Sequence, residues 1–432
     1  MLRIIGFLVF WLTVTSLPAQ DCERLGSSRD EILARRKSLL SQMDSASALV
    51  MKAADAGNDA DIDPYRQSPD FYYLTGIDET GFKVIFIPGG YRFGSQIKHV
   101  LIFTYPYQLE TPVILSPADT LLDDKFFESL LSEIVKNLKT LYYYPVPRLS
   151  NDWVNGKVVI SEREMKKAFE QAHPGIKLRP AGKLFTTLRQ IKTKQEIGLT
   201  RKAIAITGDG IISVMKQCKP GMYEYEAQAI IEYKAKRQGA ESMAYPSIIG
   251  SGTNSLVLHY DINNCRMNKG DVVVMDVGAR YGAYCADITR TIPVSGKFTP
   301  DQKAIYQAVL DIQKAVIEMV GPGVTFSDLD KRTTQLTRQA GYGNYIRHSV
   351  THPLGLAVHD VASGDTLRPG MIITVEPGIY IPVQDTVQPI SRRGFGVRIE
   401  DDVLVTADGH DLLSKGIPKE IPEIEKTMRK QR

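Results

Sequence analysis

One short stretch of the chain combines a strand-type apolar pattern with two acids. The apolar run Val272–Val277 is interrupted by Asp276, a loop with Gly278 and Gly282 follows, and a second strand-like run carries Asp287. Two such runs joined by a glycine-bearing loop are typical of a β-hairpin, in which both carboxylates would lie on one face. Burying an acid among valines is costly without a positive neighbour. The pattern therefore predicts an arginine or a metal ion beside these aspartates.

The first half of the chain alternates between helix-type and strand-type patterns. Its first predicted helix, Ser28–Gln42, begins with cap-type residues and then repeats apolar residues at helical spacing. Alternating strands and helices predict an α/β domain. The further elements predicted there are the strands Ala48–Met51, Val84–Ile87 and Val100–Phe103 and the helices Phe126–Leu138 and Glu162–Ala172.

The second half differs because its helices bracket strands that carry polar residues. We place the domain boundary near Leu188–Lys194, and we expect a smaller α/β domain over residues 21–188 and an α+β catalytic domain over residues 189–416. The basic end, residues 417–432, predicts a solvated tail. The predicted helices are Lys194–Gln217, Tyr223–Gln238, Asp301–Met319 and Phe326–Gly341, and the predicted strands after the hairpin are Met371–Glu376 and Gly396–Val405.

Length and charge narrow the class of protein. The 432 residues exceed one ordinary domain, so two domains are expected. The net charge of +4 is small, and no basic block is long enough to indicate nucleic-acid binding. The first twenty residues have a positive start, a short apolar core and a turn-prone end, which is typical of an export signal. We therefore expect a periplasmic or extracellular protein without a stable membrane span, the alternative being an N-terminal membrane anchor.

The cysteines offer no metal site. The chain has four, and none forms a CxxC pair, so a zinc–thiolate site is disfavoured. Cys22 lacks the small preceding residues of a lipidation site. Free or buried thiols are the preferred interpretation of Cys22, Cys218, Cys265 and Cys285.

Histidines and acids concentrate in the second half. Three of the seven histidines, His348, His352 and His359, lie within one short segment. Further acids are Glu376, at the end of an apolar strand, and Glu400, which shares a strand face with Arg398 by the two-residue period. Four carboxylates and a histidine pointing into one sheet would repel each other without cations between them. Such an oxygen-rich set suits two divalent ions, manganese first, with cobalt, zinc and iron as alternatives.

These residues, in this order, resemble the pita-bread metallopeptidases. The strings that carry the resemblance are DVGARYGAYCADITRT, HPLGLAVHD, TVEPGIYI and RGFGVRIEDD. The first half resembles the N-terminal domain of Xaa-Pro aminopeptidases (aminopeptidase P) through RRKSLLSQM and DPYRQSPDFYYLTGIDE. The resemblance implies a pita-bread catalytic domain behind a smaller α/β domain. It also implies removal of the N-terminal residue from peptides with proline in second position, by a hydroxide held between two metal ions.

The resemblance also implies a role for each ligand. Asp276 would hold one ion, Asp287 and Glu400 would bridge both, and His352 and Glu376 would complete the second ion. Glu376 would double as the proton shuttle.

Five further residues would surround the metal ions. His359 would stabilise the developing oxyanion, and His259 would lie near the substrate amine and the scissile bond. His348 would sit by the proline pocket, while Arg398 and Tyr380 would order the acids. The family often builds part of its site from a neighbouring chain, so a homo-oligomer is expected.

The sequence also leaves less specific interpretations open. Asp276 and Asp287 alone would fit a structural pair with an arginine, His359 alone would fit a packed core histidine, and Tyr380 alone would fit the core. A prolidase-type Xaa-Pro dipeptidase on the same fold is the nearest alternative function. A non-catalytic pita-bread module that binds peptides or proteins is the alternative from another class.

Overall fold

The computed structural model describes residues 26–54, 66–108, 113–144 and 162–429. The predicted export signal and Cys22 lie outside these ranges, so both interpretations stay predictions. The three described cysteines, Cys218, Cys265 and Cys285, are free thiols, as preferred. In the described ranges, no helix combines the length and apolarity that a membrane crossing needs.

The first domain is built on a mixed six-stranded sheet, which confirms the α/β prediction. The strands are β1 (Ser47–Lys52), β2 (Lys83–Phe93), β3 (Gln96–Thr104), β4 (Asp119–Asp123), β5 (Thr140–Tyr144) and β6 (Lys177–Pro180), in the spatial order β4-β3-β2-β1-β5-β6. Only the β1–β2 and β2–β3 pairs are antiparallel. The helices are α1 (Arg29–Gln42), α2 (Pro69–Thr75), α3 (Phe127–Val135), α4 (Glu162–Ala172) and α5 (Gly182–Arg189).

The second domain surrounds short antiparallel strands with long helices. Its strands are β7 (Ser242–Met243), β8 (Ile248–Ser251), β9 (Val272–Val277), β10 (Ala279–Tyr281), β11 (Tyr284–Cys285), β12 (Ile288–Pro293), β13 (Ile372–Val375), β14 (Gly378–Ile381), β15 (Phe395–Arg398), β16 (Asp401–Val405) and β17 (His410–Leu412). All of their described pairings are antiparallel. The helices are α6 (Lys194–Gln217), α7 (Glu224–Arg237), α8 (Pro300–Ile317), α9 (Phe326–Gln339) and α10 (Ile421–Arg429).

The apolar run that carries Asp276 and the strand-like run that ends at Pro293 pair with each other as predicted. Strands β9 and β12 are antiparallel, with Thr289 opposite Asp276 and Ile288 opposite Val277. Asp287 lies one residue beyond the last pair, so the two aspartates are diagonal rather than opposite neighbours. The connection is longer than a tight turn because it contains β10 and β11. It begins at Gly278, where an added Cβ would lie 1.9 Å from the carbonyl oxygen of Ala286.

The predicted strand Gly396–Val405 is wrong as one element, because it is broken at Ile399–Glu400. Its first part, β15, pairs with β14, and its second part, β16, pairs with β13. The partner side is interrupted at the same level by Glu376–Pro377, where proline has no N–H for a sheet ladder. The two breaks lie side by side, so Glu376 and Glu400 both stand outside the strand ladders at the same level.

The predicted solvated tail is also wrong. Residues 421–429 form α10, and its side chains Ile421, Ile424 and Met428 are buried in the main core of the second domain. These positions follow helical spacing, so the apolar stripe packs while the basic residues stay outside.

The domains share an apolar core at their junction. Phe71, Tyr72 and Tyr73 of α2 are buried in one cluster with Tyr284 and Leu356 of the second domain. These three aromatic side chains therefore form part of the packing between the two domains.

A buried ion-pair network crosses the same junction. Arg189 at the end of α5 contacts Asp70 of α2 through Nη1 at 2.5 Å and Asp360 of the second domain through Nη2. Lys192 Nζ lies 3.2 Å from the other Asp360 oxygen. Two cations and two carboxylates thus balance each other in a place shielded from water.

Replacing Arg189 with glutamine should lower the free energy of unfolding by about 3–5 kcal/mol, because Asp70 would stay buried without its cation. Denaturant unfolding of the wild type, of Arg189→Gln and of a control variant measures the difference in the free energy of unfolding. The matched control is Arg201→Gln, whose pair with Asp411 is 42% and 33% exposed and should contribute about 0–1 kcal/mol. Equal losses in both variants would contradict the assignment.

Candidate metal centre

Three predicted ligands meet at the centre of the second domain. Asp287 stands between β11 and β12, His352 lies in the segment before β13, and Glu400 occupies the break between β15 and β16. One donor atom from each lies within 4.8 Å of the other two. The hairpin, the histidine segment and the paired strand break therefore converge on one point.

The other two predicted ligands border this group. The Nε2 atom of His352 is 3.5 Å from an oxygen of Glu376 and 3.4 Å from an oxygen of Asp287. Asp276 is paired with Arg398, whose Nη2 donates to it over 2.6 Å. All five predicted ligands are thus brought together. Of these acids, Asp276 is the one that forms an ion pair with an arginine among the described residues.

The remaining acids have no such partner. Among the described residues, no lysine or arginine side chain forms an ion pair with Asp287, Glu376 or Glu400. Burial, only partly offset by His352, raises the pKa of Glu376 to about 8. Burial and the neighbouring carboxylates also raise the pKa values of Asp287 and Glu400. These groups need an added cation to stay charged together at neutral pH.

The orientation of His352 suits a metal ligand. Its Nδ1 lies 3.1 Å from the carbonyl oxygen of Pro353, which can only accept, so Nδ1 carries the proton. The lone pair of Nε2 then faces the carboxylates, and a backbone carbonyl orients the ring as metal-binding histidines require. Although burial opposes protonation, the contact with Asp287 raises the pKa of His352 in the absence of an ion. The donor set of one imidazole and several carboxylates fits divalent metal ions.

Two residues of this centre were missed by the sequence analysis. The hydroxyl of Tyr245 is 2.6 Å from Asp276 and also contacts Asp287, and burial raises its pKa well above the usual value. An isolated tyrosine in a loop carries no sequence signal for such a role. Thr289 did carry a sequence signal for such a role. It follows Asp287 by two residues and therefore points to the same side of the chain in an extended strand. Its hydroxyl donates to Glu400 over 2.8 Å and accepts from Arg398 Nε over 3.2 Å.

A hydrogen-bonded chain leads outward from Asp276. Arg398 donates to the hydroxyl of Tyr380 over 2.9 Å, and that hydroxyl lies 2.8 Å from Nε2 of His348. Since Nδ1 of His348 faces the carbonyl oxygen of Ser349 at 2.8 Å, Nε2 is the acceptor. Burial and then Arg398 lower the pKa of His348 to about 4, so the ring is neutral at pH 7. Tyr380 is buried, but its hydroxyl makes it more than core packing.

His359 and His259 lie at the open side of the centre. The ring of His359 is 4.3 Å from that of His352, centroid to centroid, in an edge-to-face arrangement. His359 and His259, called the rim histidines below, are both exposed. Burial of its ring nitrogens and the neighbouring His352 nevertheless lower the pKa of His359.

Comparison with known proteins covers both domains. Residues 198–407 match the model of metallopeptidase family M24, and residues 32–108 match that of the aminopeptidase P N-terminal domain. The chain is 33% identical to the Xaa-Pro aminopeptidase of Haemophilus influenzae, over 93% of this chain and 97% of that protein. It is 34% identical to the Xaa-Pro dipeptidase of Pyrococcus furiosus, over 80% of this chain and 90% of that protein.

A solved structure agrees with the same assignment. Zinc-substituted aminopeptidase P of E. coli, in complex with product, superposes with a TM-score of 0.81 and 30% sequence identity, covering 94% of this chain and 99% of that one. The predicted pita-bread fold with a preceding α/β domain is thereby confirmed. The chain belongs to metallopeptidase family M24 and has the two-domain architecture of aminopeptidase P.

Proposed function

We propose that this protein is an Xaa-Pro aminopeptidase, which hydrolyses the bond between the N-terminal residue of a peptide and a following proline. The observation that carries the proposal is the buried centre in which Asp287, His352 and Glu400 converge with too few cations. The match to an Xaa-Pro aminopeptidase over nearly the whole chain supports the substrate class.

Two divalent ions, held by Asp276, Asp287, His352, Glu376 and Glu400, complete the proposed site. When bound, such ions lower the pKa of water to near neutrality and polarise a carbonyl group. Manganese is the proposed native ion because oxygen donors outnumber the single imidazole nitrogen. Cobalt, zinc and iron are the alternatives, and the zinc-substituted E. coli relative supports a site of this class that accepts more than one metal.

The residues of the chain supply proton transfer and orientation. Glu376, which lies beside His352, would accept a proton from the attacking water and pass it to the proline nitrogen. His359 and His259 on the rim would donate to the carbonyl oxygen as negative charge develops there. The chain Arg398–Tyr380–His348 fixes Asp276 on one side and, on the other, ends at the proposed proline pocket.

The two aspartates should differ in their effect on metal content. Wild-type protein should bind two ions, Asp287→Ala should lose both because Asp287 is proposed to contribute to both sites, and Asp276→Ala should lose mainly one. Elemental analysis after dialysis gives these ratios, with Asp119→Asn as a control because that acid pairs with Arg36 in the first domain. Retention of one tightly bound ion by Asp287→Ala would refute the bridging assignment.

Tyr245→Phe should destabilise the metal-free protein by about 1–3 kcal/mol, because a hydroxyl between two buried acids is lost. Added manganese should reduce this loss, since the ions then neutralise the same acids. Thermal unfolding with and without metal measures both effects. Tyr306→Phe is the control, because its buried hydroxyl donates to the backbone of Lys419 over 2.8 Å, away from the centre. A loss that metal leaves unchanged in Tyr245→Phe would contradict its role at the centre.

Hydrolysis of an Xaa-Pro-Xaa tripeptide and of an Xaa-Pro dipeptide, with manganese, cobalt or zinc, tests the function. We expect cleavage of the tripeptide with release of its first residue, and loss of activity by at least about 10²-fold in Glu376→Gln with the fold intact. The partly exposed Glu420, paired with Lys314, provides the control variant Glu420→Gln.

The same assay separates the alternatives. Cleavage confined to dipeptides would favour a prolidase-type enzyme, which the match to the Pyrococcus furiosus dipeptidase keeps as the second candidate. A chain that binds no divalent ion and cleaves neither peptide would favour the non-catalytic binding module. Full activity in Glu376→Gln would refute the proton-shuttle assignment alone.

A further inference from the structure

Glu224 is a fully buried carboxylate outside the metal centre, with no lysine or arginine paired to it among the described residues. It is the first residue of α7, and its two oxygens accept hydrogen bonds from five donors instead. Oε1 accepts from Ser251 N–H and Ser251 Oγ at 2.7 Å each and from Asn254 Nδ2 at 3.0 Å, and Oε2 accepts from Tyr260 Oη and Cys265 N–H at 2.9 Å each.

All five donors belong to one segment, residues 251–265, which carries His259. Ser251 and Asn254 lie before His259, and Tyr260 and Cys265 lie after it. The carboxylate therefore ties together the two arms of a loop that has no strand of its own beyond Ser251. The main chain adds to this closure, because Glu224 N–H donates to the carbonyl oxygen of Cys265 over 3.0 Å.

His259 depends on this loop for its position. Its exposed side chain makes no hydrogen bond within the described part of the chain, so the backbone of the segment alone fixes the point from which the ring extends. The adjacent carbonyl of Leu258 accepts from Arg398 Nη2 over 3.4 Å, and the adjacent Tyr260 donates to Glu224. One neighbour of His259 is thus attached to the metal centre and the other to the buried carboxylate.

Only a carboxylate satisfies this arrangement. Each of its oxygens receives one backbone N–H, from Ser251 on Oε1 and from Cys265 on Oε2. A glutamine in either orientation would place its NH₂ group against one of these donors, and an N–H cannot accept from another N–H. The segment would have to move away to relieve the contact, although the two side chains have nearly the same size.

We propose that Glu224 is the positioning residue for His259. It holds the segment 251–265 so that the ring reaches the substrate beside the metal centre. This rests on the proposed function, in which His259 meets the peptide near the scissile bond. The carboxylate touches neither substrate nor metal and acts only through the segment.

A double-mutant cycle with Glu224→Gln and His259→Ala tests the proposal through kcat/KM for an Xaa-Pro-Xaa peptide. Glu224→Gln alone should lower kcat/KM on the order of 10²-fold, since small misplacements of reacting groups cost that much. In the His259→Ala background the same change should add less than about twofold, because the residue that it positions is already gone. A full second loss in the double variant would overturn the proposal.

Three further measurements exclude a general structural effect. Metal content should equal that of the wild type in every variant of the cycle, and reduced content in Glu224→Gln would count against the proposal. Glu425 is a buried acid of α10 that accepts a hydrogen bond from the Phe298 N–H over 3.3 Å. The control variant Glu425→Gln should keep wild-type activity. Tyr260→Phe removes one of the five donors to Glu224, together with an acceptor of Asn254 Nδ2. It should give a smaller loss than Glu224→Gln, which keeps the test available if Glu224→Gln fails to fold.

Amide hydrogen exchange separates failure of this inference from failure of the proposed function. Glu224→Gln should accelerate exchange in residues 251–265 and leave β9 and β12 unchanged. That result does not require activity, so it tests the anchor even if the wild type cleaves no Xaa-Pro peptide. Unchanged exchange in the segment would overturn the anchoring role directly.

Discussion

Four carboxylates share one buried centre with a single arginine, and this excess of negative charge constrains the whole second domain. Arg398 neutralises Asp276 and leaves Asp287, Glu376 and Glu400 without a paired lysine or arginine in the described structure. Unpaired buried charges oppose folding, so such a cluster is stable only with protons or metal ions among the acids. The raised pKa values of these three groups express that requirement.

The adjacent acid Asp401 shows that the fold can neutralise a carboxylate when a cation is needed. It is fully buried, as Glu400 is, but it contacts Arg290 at 2.7 Å and Lys419 at 2.5 Å. These cations lower its pKa despite its burial. The two neighbouring acids therefore differ: Asp401 is neutralised by the side chains of Arg290 and Lys419, whereas Glu400 faces the centre and needs a proton or an added ion.

The elements and ligands that could be predicted from the sequence are those that depend on residue type and on local spacing. Two apolar runs joined by a glycine-bearing loop predicted the hairpin that carries Asp276 and Asp287, and the clustering of acids and histidines predicted the ligands that the structure brings together. The strand break at Glu400 was missed because it depends on an interruption of the partner strand at Pro377. Tyr245 was missed because its role arises from two residues that are distant in the chain. Glu224 carries no signal in the sequence beyond its place at the start of a helix, because its five donors come together only in the tertiary structure.

The metal ligands and the rim histidines are held by different means. The four carboxylate ligands come from strands, strand ends and strand breaks, so the core that folds the domain also positions them. His359 and His259 lie on loops, where the sheet cannot fix them, and each has a buried acid behind its segment. Asp360, next to His359, is held by Arg189 and Lys192 at the domain junction, while Glu224 gathers the segment around His259. Buried acids thus hold in place the exposed loops that carry His359 and His259. Because Arg189 of α5 binds Asp360, the first domain also helps to position His359, which belongs to the second domain.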